Sequence, residues 1–253
     1  MADYCQDELG VIERAVGAFA RGYAYTRSFT HPYLAERVGP VWVTRDGPRT
    51  RGDYRTEEWI AYGIPPAEVD NLARKHARGR YAICAMRALD DPMAPLRDGY
   101  KELGYRLNTT EPLMVHSLQE IPDFASPLEI RRVTTQDEAD RLTRAARARQ
   151  VLPRHLNGDD TLRQYVALDG DLPVAWVRSI TVGDAAWCSN MYVKPEFRRR
   201  GIARALLSRM LRDDREAGAK TAVLLASHAG ALLYPALGYE MIGTLLLFTP
   251  IRE

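Results

Sequence analysis

The chain has 253 residues, enough for one large domain or two small ones. Hydrophobic residues make up 46% and charged residues 27%, and a formal net charge of +2 is too balanced to imply nucleic acid by bulk electrostatics. Three scattered cysteines (Cys5, Cys84, Cys188), with no CxxC and no companion histidines at metal spacing, argue against a disulfide framework and a metal site.

Taken in chain order, apolar periodicity predicts a helix over Asp7 to Ala24, with Leu9, Ile12, Ala15, Val16 and Phe19 on one side. A second helical pattern is expected near Pro32 to Arg37, then a short strand at Val41 to Val43 and turn chemistry over 45–53. Glu57 to Tyr62 is a predicted strand, and Pro65 opens a helix to about Ala77. Tyr81 to Ala88 is a buried strand candidate, Pro95 to Leu103 a short helix, and Leu113 to Leu118 another strand. Ile121 to Pro127 has the composition of a linker, so the chain divides into two halves.

The second half begins with a strand at Leu128 to Val133 and a helix over Thr135 to Arg149, capped by Thr134/Thr135 with Glu138 in its first turn. Leu162 to Leu168 and Val174 to Ile180 form a predicted hairpin across Asp169-Gly170-Asp171. Ala186 to Val193 is the next strand, Gly201 to Gly218 a helix, and Thr221 to Ala226 a strand. A helix at Ala229 to Leu237 and one or two strands within Tyr239 to Thr249 complete the series.

Within this order, Cys188 to Leu211 carries the most chemistry. A β-prone run (Met191, Tyr192, Val193) meets a basic turn (Arg198, Arg199, Arg200, Gly201), which opens into an amphipathic helix. Such a turn holds phosphate, because the unpaired N–H groups and the positive end of the helix dipole converge on one anion. An internal repeat bears on the other half. Tyr100-Lys-Glu-Leu-Gly-Tyr105 recurs as Tyr234-Pro-Ala-Leu-Gly-Tyr239, each copy following a strand-like run. Where the second half has its arginine-rich turn, the first has Gly63-Ile64-Pro65-Pro66-Ala67, whose prolines lack the N–H donors a phosphate needs.

Arg198-x-x-Gly201-x-Ala203 after a strand resembles the acetyl-CoA signature of the GNAT superfamily of N-acetyltransferases, Q/R-x-x-G-x-G/A. Ser227 to Tyr239 is similar to the family's following motif at Leu233, Tyr234 and Gly238, and departs from it at Ser227, Gly230 and Tyr239. The resemblance covers roughly Leu128 onward. It implies an α/β fold, a mixed and mostly antiparallel sheet flanked by helices, in two tandem halves. Residues 1–125 would be a degenerate domain without cofactor and 126–253 the catalytic domain.

The resemblance also implies roles. The N–H groups of Arg199 to Ala203, including Ile202, would bind the pyrophosphate of acetyl-CoA as co-substrate, with Arg198, Arg199, Arg200 and Arg204 offering charge. For each arginine, a solvated basic face is the competing reading. Met191 to Val193 would expose backbone to the pantetheine arm, with the Met191 N–H polarising the thioester carbonyl, and Ser227 would stand at a pantetheine contact. Tyr234 is the candidate general acid for the leaving thiolate. No carboxylate lies on the strand before Val193, and Trp187 stands where some relatives have glutamate. Base candidates are therefore Asp184, His155, Glu57 and Glu58, or a water held by Ser189 or Asn190. Cys188 raises the alternative of an acyl-cysteine route.

The expected function is transfer of an acetyl or other short acyl group to the amine of a small molecule. A protein N-terminal or lysine acetyltransferase and a non-catalytic CoA-binding module are the alternatives. No metal, nucleic acid or membrane partner is expected, the assembly would be a monomer or homodimer, and the polar N-terminus predicts a cytoplasmic location.

Overall fold

The computed structural model describes residues 2–251, with side chains from Gly10 onward, so those of Cys5 and Leu9 lie outside the described residues. The elements run α1 (Ala2–Arg27), β1 (Tyr33–Val38), β2 (Val41–Asp46), β3 (Glu57–Tyr62), α2 (Pro66–His76), β4 (Tyr81–Ala88), α3 (Met93–Glu102) and β5 (Tyr105–His116). They continue as β6 (Glu129–Arg132), α4 (Gln136–Ala146), β7 (Leu162–Asp169), β8 (Leu172–Val182), β9 (Ala185–Val193), α5 (Ile202–Glu216), β10 (Thr221–Leu225) and β11 (Glu240–Pro250). Short 3-10 turns lie at Pro153–Leu156, Pro195–Phe197, Gly230–Leu232 and Tyr234–Leu237.

Two expectations need correction. Pro32 to Arg37 is not helical: Tyr33–Val38 is β1, pairing antiparallel with β2 from Tyr33↔Asp46 to Val38↔Val41. The two-residue connection Gly39-Pro40, with Gly39 at φ 59, holds the chain in a hairpin that a six-residue helical pattern could not resist. Ala229 to Leu237 is two 3-10 turns rather than one helix. Pro235 lacks an N–H and interrupts the helical ladder there.

The chain forms two compact units that are interleaved in sequence. The first takes residues up to Met114, then Leu225–His228, then those from Met241 on. Its strands follow the order β1-β2-β3-β4-β11-β5. β3 and β4 are parallel and paired along the whole of β3, from Glu57↔Tyr81 to Tyr62↔Met86. β11 pairs antiparallel with β4. The core packs Val41, Val43, Trp59, Ile83, Tyr100, Tyr105, Leu246 and Phe248.

The second unit takes Val115–Leu224 and Ala229–Glu240. Its strands follow the order β10-β9-β8-β7-β6, antiparallel except for β9 with β10. α4 begins with the expected capping box: the Glu138 N–H donates to Thr135 Oγ1 at 3.3 Å, and the Thr135 N–H donates to Glu138 Oε2 at 3.1 Å. α4 covers one face of the sheet through a core of Val133, Leu142, Val151, Val166 and Trp176. α5 buries Ile202, Ala205, Leu206, Leu207, Met210 and Leu211. On α5, Asp214 receives the Arg163 guanidinium of β7 at 2.7 Å, and both side chains are almost wholly buried.

The sequence repeat extends to geometry. Each unit has a strand, a helix and a parallel strand in succession (β3-α2-β4 and β9-α5-β10). Tyr100 and Tyr105 meet edge to face at 5.7 Å, and Tyr234 and Tyr239 do so at 5.5 Å.

Candidate active site

The candidate site in the second unit is set by two irregularities in β9. The first is a bulge. Trp176 pairs with Tyr192 and Arg178 with Ser189, so Val177 of β8 faces both Asn190 and Met191. Asn190 takes the left-handed conformation, φ 56, which absorbs the extra residue. The second is early parting from β10, whose pairing covers only Thr221↔Ala185 to Val223↔Trp187. Cys188 to Val193 continue beyond it. A bulged strand freed on one edge presents backbone donors and acceptors that a regular ladder would consume.

The basic turn follows. The Lys194 N–H donates to Val174 O at 2.9 Å, anchoring the strand's end. Arg199 at φ 63 and Gly201 at φ 80 then turn the chain into α5. Gly201 is the N-cap, with no side-chain hydrogen bond to the first turn. A helix leaves its first N–H groups without intrahelical acceptors, so the start of α5 is suited to an anion.

The four arginines differ. Arg198 donates to Val193 O at 3.0 Å and lies over Tyr192, and Arg200 donates to Glu196 O at 2.9 Å and lies over Phe197. Both brace the turn from which they project. Arg204 stacks on Phe124 at 5.1 Å, while Arg199 is exposed. Tyr192 stacks on Trp176 at 4.6 Å, Met191 and Val193 are half-buried, Ile202 is buried and Ala203 half-buried. Ser227 is exposed just past β10 and falls in the first unit, apart from these residues.

Tyr234 is buried in its 3-10 turn, and burial, then the neighbouring Cys188, push its phenol well above the ordinary range. Cys188 is itself buried, and burial raises its thiol far above the usual value, which removes the thiolate a covalent route requires. Ser189 is half-buried, and its Oγ has no hydrogen-bond partner among the described residues. Asp184 is exposed beyond the start of β9 and lies 3.7 Å from Lys220. Glu57 and Glu58 belong to the first unit, where Glu58 accepts from Tyr23, Tyr33 and Thr44. Among the described residues no group of three His, Cys, Asp or Glu side chains is placed to hold a metal ion, and no helix is long and apolar enough to cross a membrane.

Three further residues stand out in the structure. His116, at the end of β5, accepts the Leu118 N–H on Nδ1 at 2.8 Å, which leaves Nε2–H to donate to Leu237 O at 2.8 Å. It thereby fixes the turn that carries Tyr234. Burial pushes its pKa down. Arg178 interrupts an apolar strand, a signal visible in the sequence. Gln150 gave no signal at all, yet its Oε1 accepts from Arg178 at 3.1 Å and from Asn190 at 2.5 Å.

Residues 160–241 match the model of the acetyltransferase (GNAT) domain. No curated protein sequence matches the chain. Among solved structures, a GCN5-related N-acetyltransferase from Kribbella flavida is similar at 18% identity and a TM-score of 0.65, over 94% of this chain and 96% of that one. An acetyltransferase of the same family from Novosphingobium aromaticivorans aligns at 16% identity and a TM-score of 0.53, over 93% and 96% of the two chains. A tandem GNAT protein from the clavulanic acid biosynthesis pathway aligns at 13% identity and a TM-score of 0.50, over 94% of each chain.

Proposed function

We propose, from the match of residues 160–241 to the GNAT acetyltransferase domain, that the protein moves an acetyl, or another short acyl group, from CoA to the amine of a small molecule. The observation that carries this reading is the bulged end of β9 running directly into the uncapped start of α5. The residues present fit the co-substrate: Gly201 leaves the space a side chain would fill open, and the helix start has donors to give.

When bound, acetyl-CoA supplies the acyl carbon and the sulfur leaving group. The N–H groups from Arg199 to Ala203 would hold its pyrophosphate, with Arg199 and Arg204 the arginines best placed to add charge. Arg198 and Arg200 would act by shaping the turn. Met191, Tyr192 and Val193 would offer backbone to the pantetheine arm, and the Met191 N–H would polarise the acyl carbonyl. Ser227 belongs to the first unit and is given no part in this site. The amine nitrogen forms a bond to the acyl carbon as the carbon–sulfur bond breaks; nitrogen loses one proton and sulfur gains one. Tyr234, held neutral by burial, would give or share the proton at sulfur. Ser189, with its unsatisfied hydroxyl, would hold the water that accepts the proton from nitrogen. Attack is direct, since Cys188 is kept as a thiol.

The same reading makes the first half the inactive one. Its β3/β4 ladder is closed over six pairs, and α2 starts at Pro65-Pro66 without side-chain capping. Calorimetric titration with acetyl-CoA, followed by thiol release across an amine panel, tests the proposal. Micromolar binding with turnover of small amines is the expected result. Binding without turnover of any amine favours a CoA-binding module, and turnover restricted to peptides favours a protein acetyltransferase.

A further inference from the structure

The first unit holds a cavity that acyl transfer does not use. Its volume is about 630 Å³, and it lies where β4 and β5 begin and β11 ends. β11 runs between those two strands, antiparallel to β4, with pairing as far as Phe248↔Ile83. Thr249, Pro250 and Ile251 therefore pass Tyr81 and Arg80. The Ile251 N–H donates to Gly104 O at 2.8 Å, just before β5. β3 and β4 are parallel, so this end of the sheet is opposite to the Gly63-Ile64-Pro65-Pro66 turn that follows β3. The cavity is not a remnant of an anion turn like the one before α5.

Its lining is basic at two points and apolar between them. Arg80 and Arg106 both line it, and among the described residues no acidic side chain does. Both arginines are exposed, and the Arg80 side chain has no hydrogen bond or ion pair among the described residues. Arg106 is held by neutral groups: its Nε donates to Asn108 Oδ1 at 3.1 Å, and Asn108 Nδ2 donates to Thr249 Oγ1 at 3.0 Å. Two acids near this end of the sheet are already engaged. Asp70 accepts from Tyr105 at 2.6 Å and Arg74 at 2.7 Å, and Glu57 accepts the Arg78 N–H at 2.9 Å. Tyr81, Pro250 and Ile251 give the cavity its apolar wall. The Tyr81 hydroxyl is 3.0 Å from that of Tyr105, so its ring is fixed rather than free to fill the space.

We propose that this cavity binds a small phosphorylated organic molecule, its phosphate between Arg80 and Arg106 and its body against Tyr81, Pro250 and Ile251. The site lies in the first unit and does not rest on the acyl-transfer reading. Neighbouring strands are about 4.8 Å apart, so the starts of β4 and β5, with β11 between them, are separated by about 10 Å, a span that two long side chains close upon one anion. A single guanidinium satisfies a carboxylate through two parallel hydrogen bonds. A second arginine without an acidic partner favours a dianion with a third oxygen, which is a phosphate ester. Inorganic phosphate would leave most of the space empty, since cavities of about 300–1,000 Å³ suit whole small molecules.

The test uses naphthyl phosphate, naphthol and inorganic phosphate as probes of the full chain, with binding read by ligand-observed NMR. Naphthyl phosphate should bind, and naphthol and inorganic phosphate should each be weaker by about tenfold or more, since each lacks one half of the recognition. Arg80→Gln and Arg106→Gln should each weaken naphthyl phosphate by about tenfold, the scale of a lost hydrogen bond to a charged group. Arg199→Gln, at the start of α5, should leave it unchanged. The three substitutions are at exposed positions, so the variants should fold. No binding of naphthyl phosphate, equal binding of naphthol, or affinity that ignores both Arg80 and Arg106 overturns the proposal. Binding that falls with Arg199→Gln alone reports the anion site of the second unit and also overturns it.

Discussion

At the scale of single residues, burial acts on the protonation of groups in and around the proposed site. Tyr234 is held as a phenol by burial, so it should supply no descending limb to kcat/KM up to about pH 10, the ordinary tyrosine value. Tyr234→Phe should lower kcat by about 100-fold, a usual share for a general acid, with acetyl-CoA affinity intact. A limb near pH 8 that vanishes in the Phe variant would overturn the assignment. His155 makes a matching prediction for stability. Its folded pKa of about 4 lies below the unfolded value of about 6.5, so below pH 6.5 the unfolded chain takes up the proton first. Stability should be full above pH 6.5 and fall steadily toward pH 4. Urea unfolding of His155→Gln should show a flatter pH profile over that window. Neither histidine's state could be seen in the sequence, because each depends on burial by segments distant along the chain.

The elements show why some of the fold was legible beforehand and some was not. The Thr135/Glu138 box is local chemistry, so it was readable, and Thr135→Ala should cost about 1 kcal/mol by chemical denaturation without altering turnover. The bulge was not readable. Ser189-Asn190 is a weak point in the strand composition of β9, but only the register against β8 reveals the extra residue. Pro235 was present in the sequence, yet apolar spacing around it suggested a helix where two 3-10 turns form. The Tyr234 turn ends at Gly238, φ 92, where an added Cβ would lie 3.0 Å from His116 Nε2. Its repeat counterpart Gly104, φ 82, has open space around it. Both Ala variants should lose about 1–3 kcal/mol for the left-handed backbone. Gly238→Ala alone should also reduce kcat, by displacing the His116 contact that sets Tyr234; equal activity losses in the two would refute this.

For the whole molecule, the informative fact is that the first unit is built from three stretches of sequence, the last of them β11. The linker composition at Ile121 to Pro127 suggested a simple division, but strand pairing across long sequence separations leaves no local signature. A fragment of residues 126–253 would carry β11 away from β4 and expose an apolar strand (Leu245, Leu246, Leu247, Phe248) along an open edge. It should run as aggregates in size-exclusion chromatography, whereas the full chain should not. Monodisperse, acetyl-CoA-binding fragment would disprove the dependence. The same strand sets an order of events at the ribosome. The first unit's sheet cannot close until residues 240–250 have left the exit tunnel, so β4 must wait, unpaired on that side, while the whole second unit is synthesised. An apolar edge left open that long is a target for chaperones, and an early stop codon before β11 would damage the beginning of the protein more than its end.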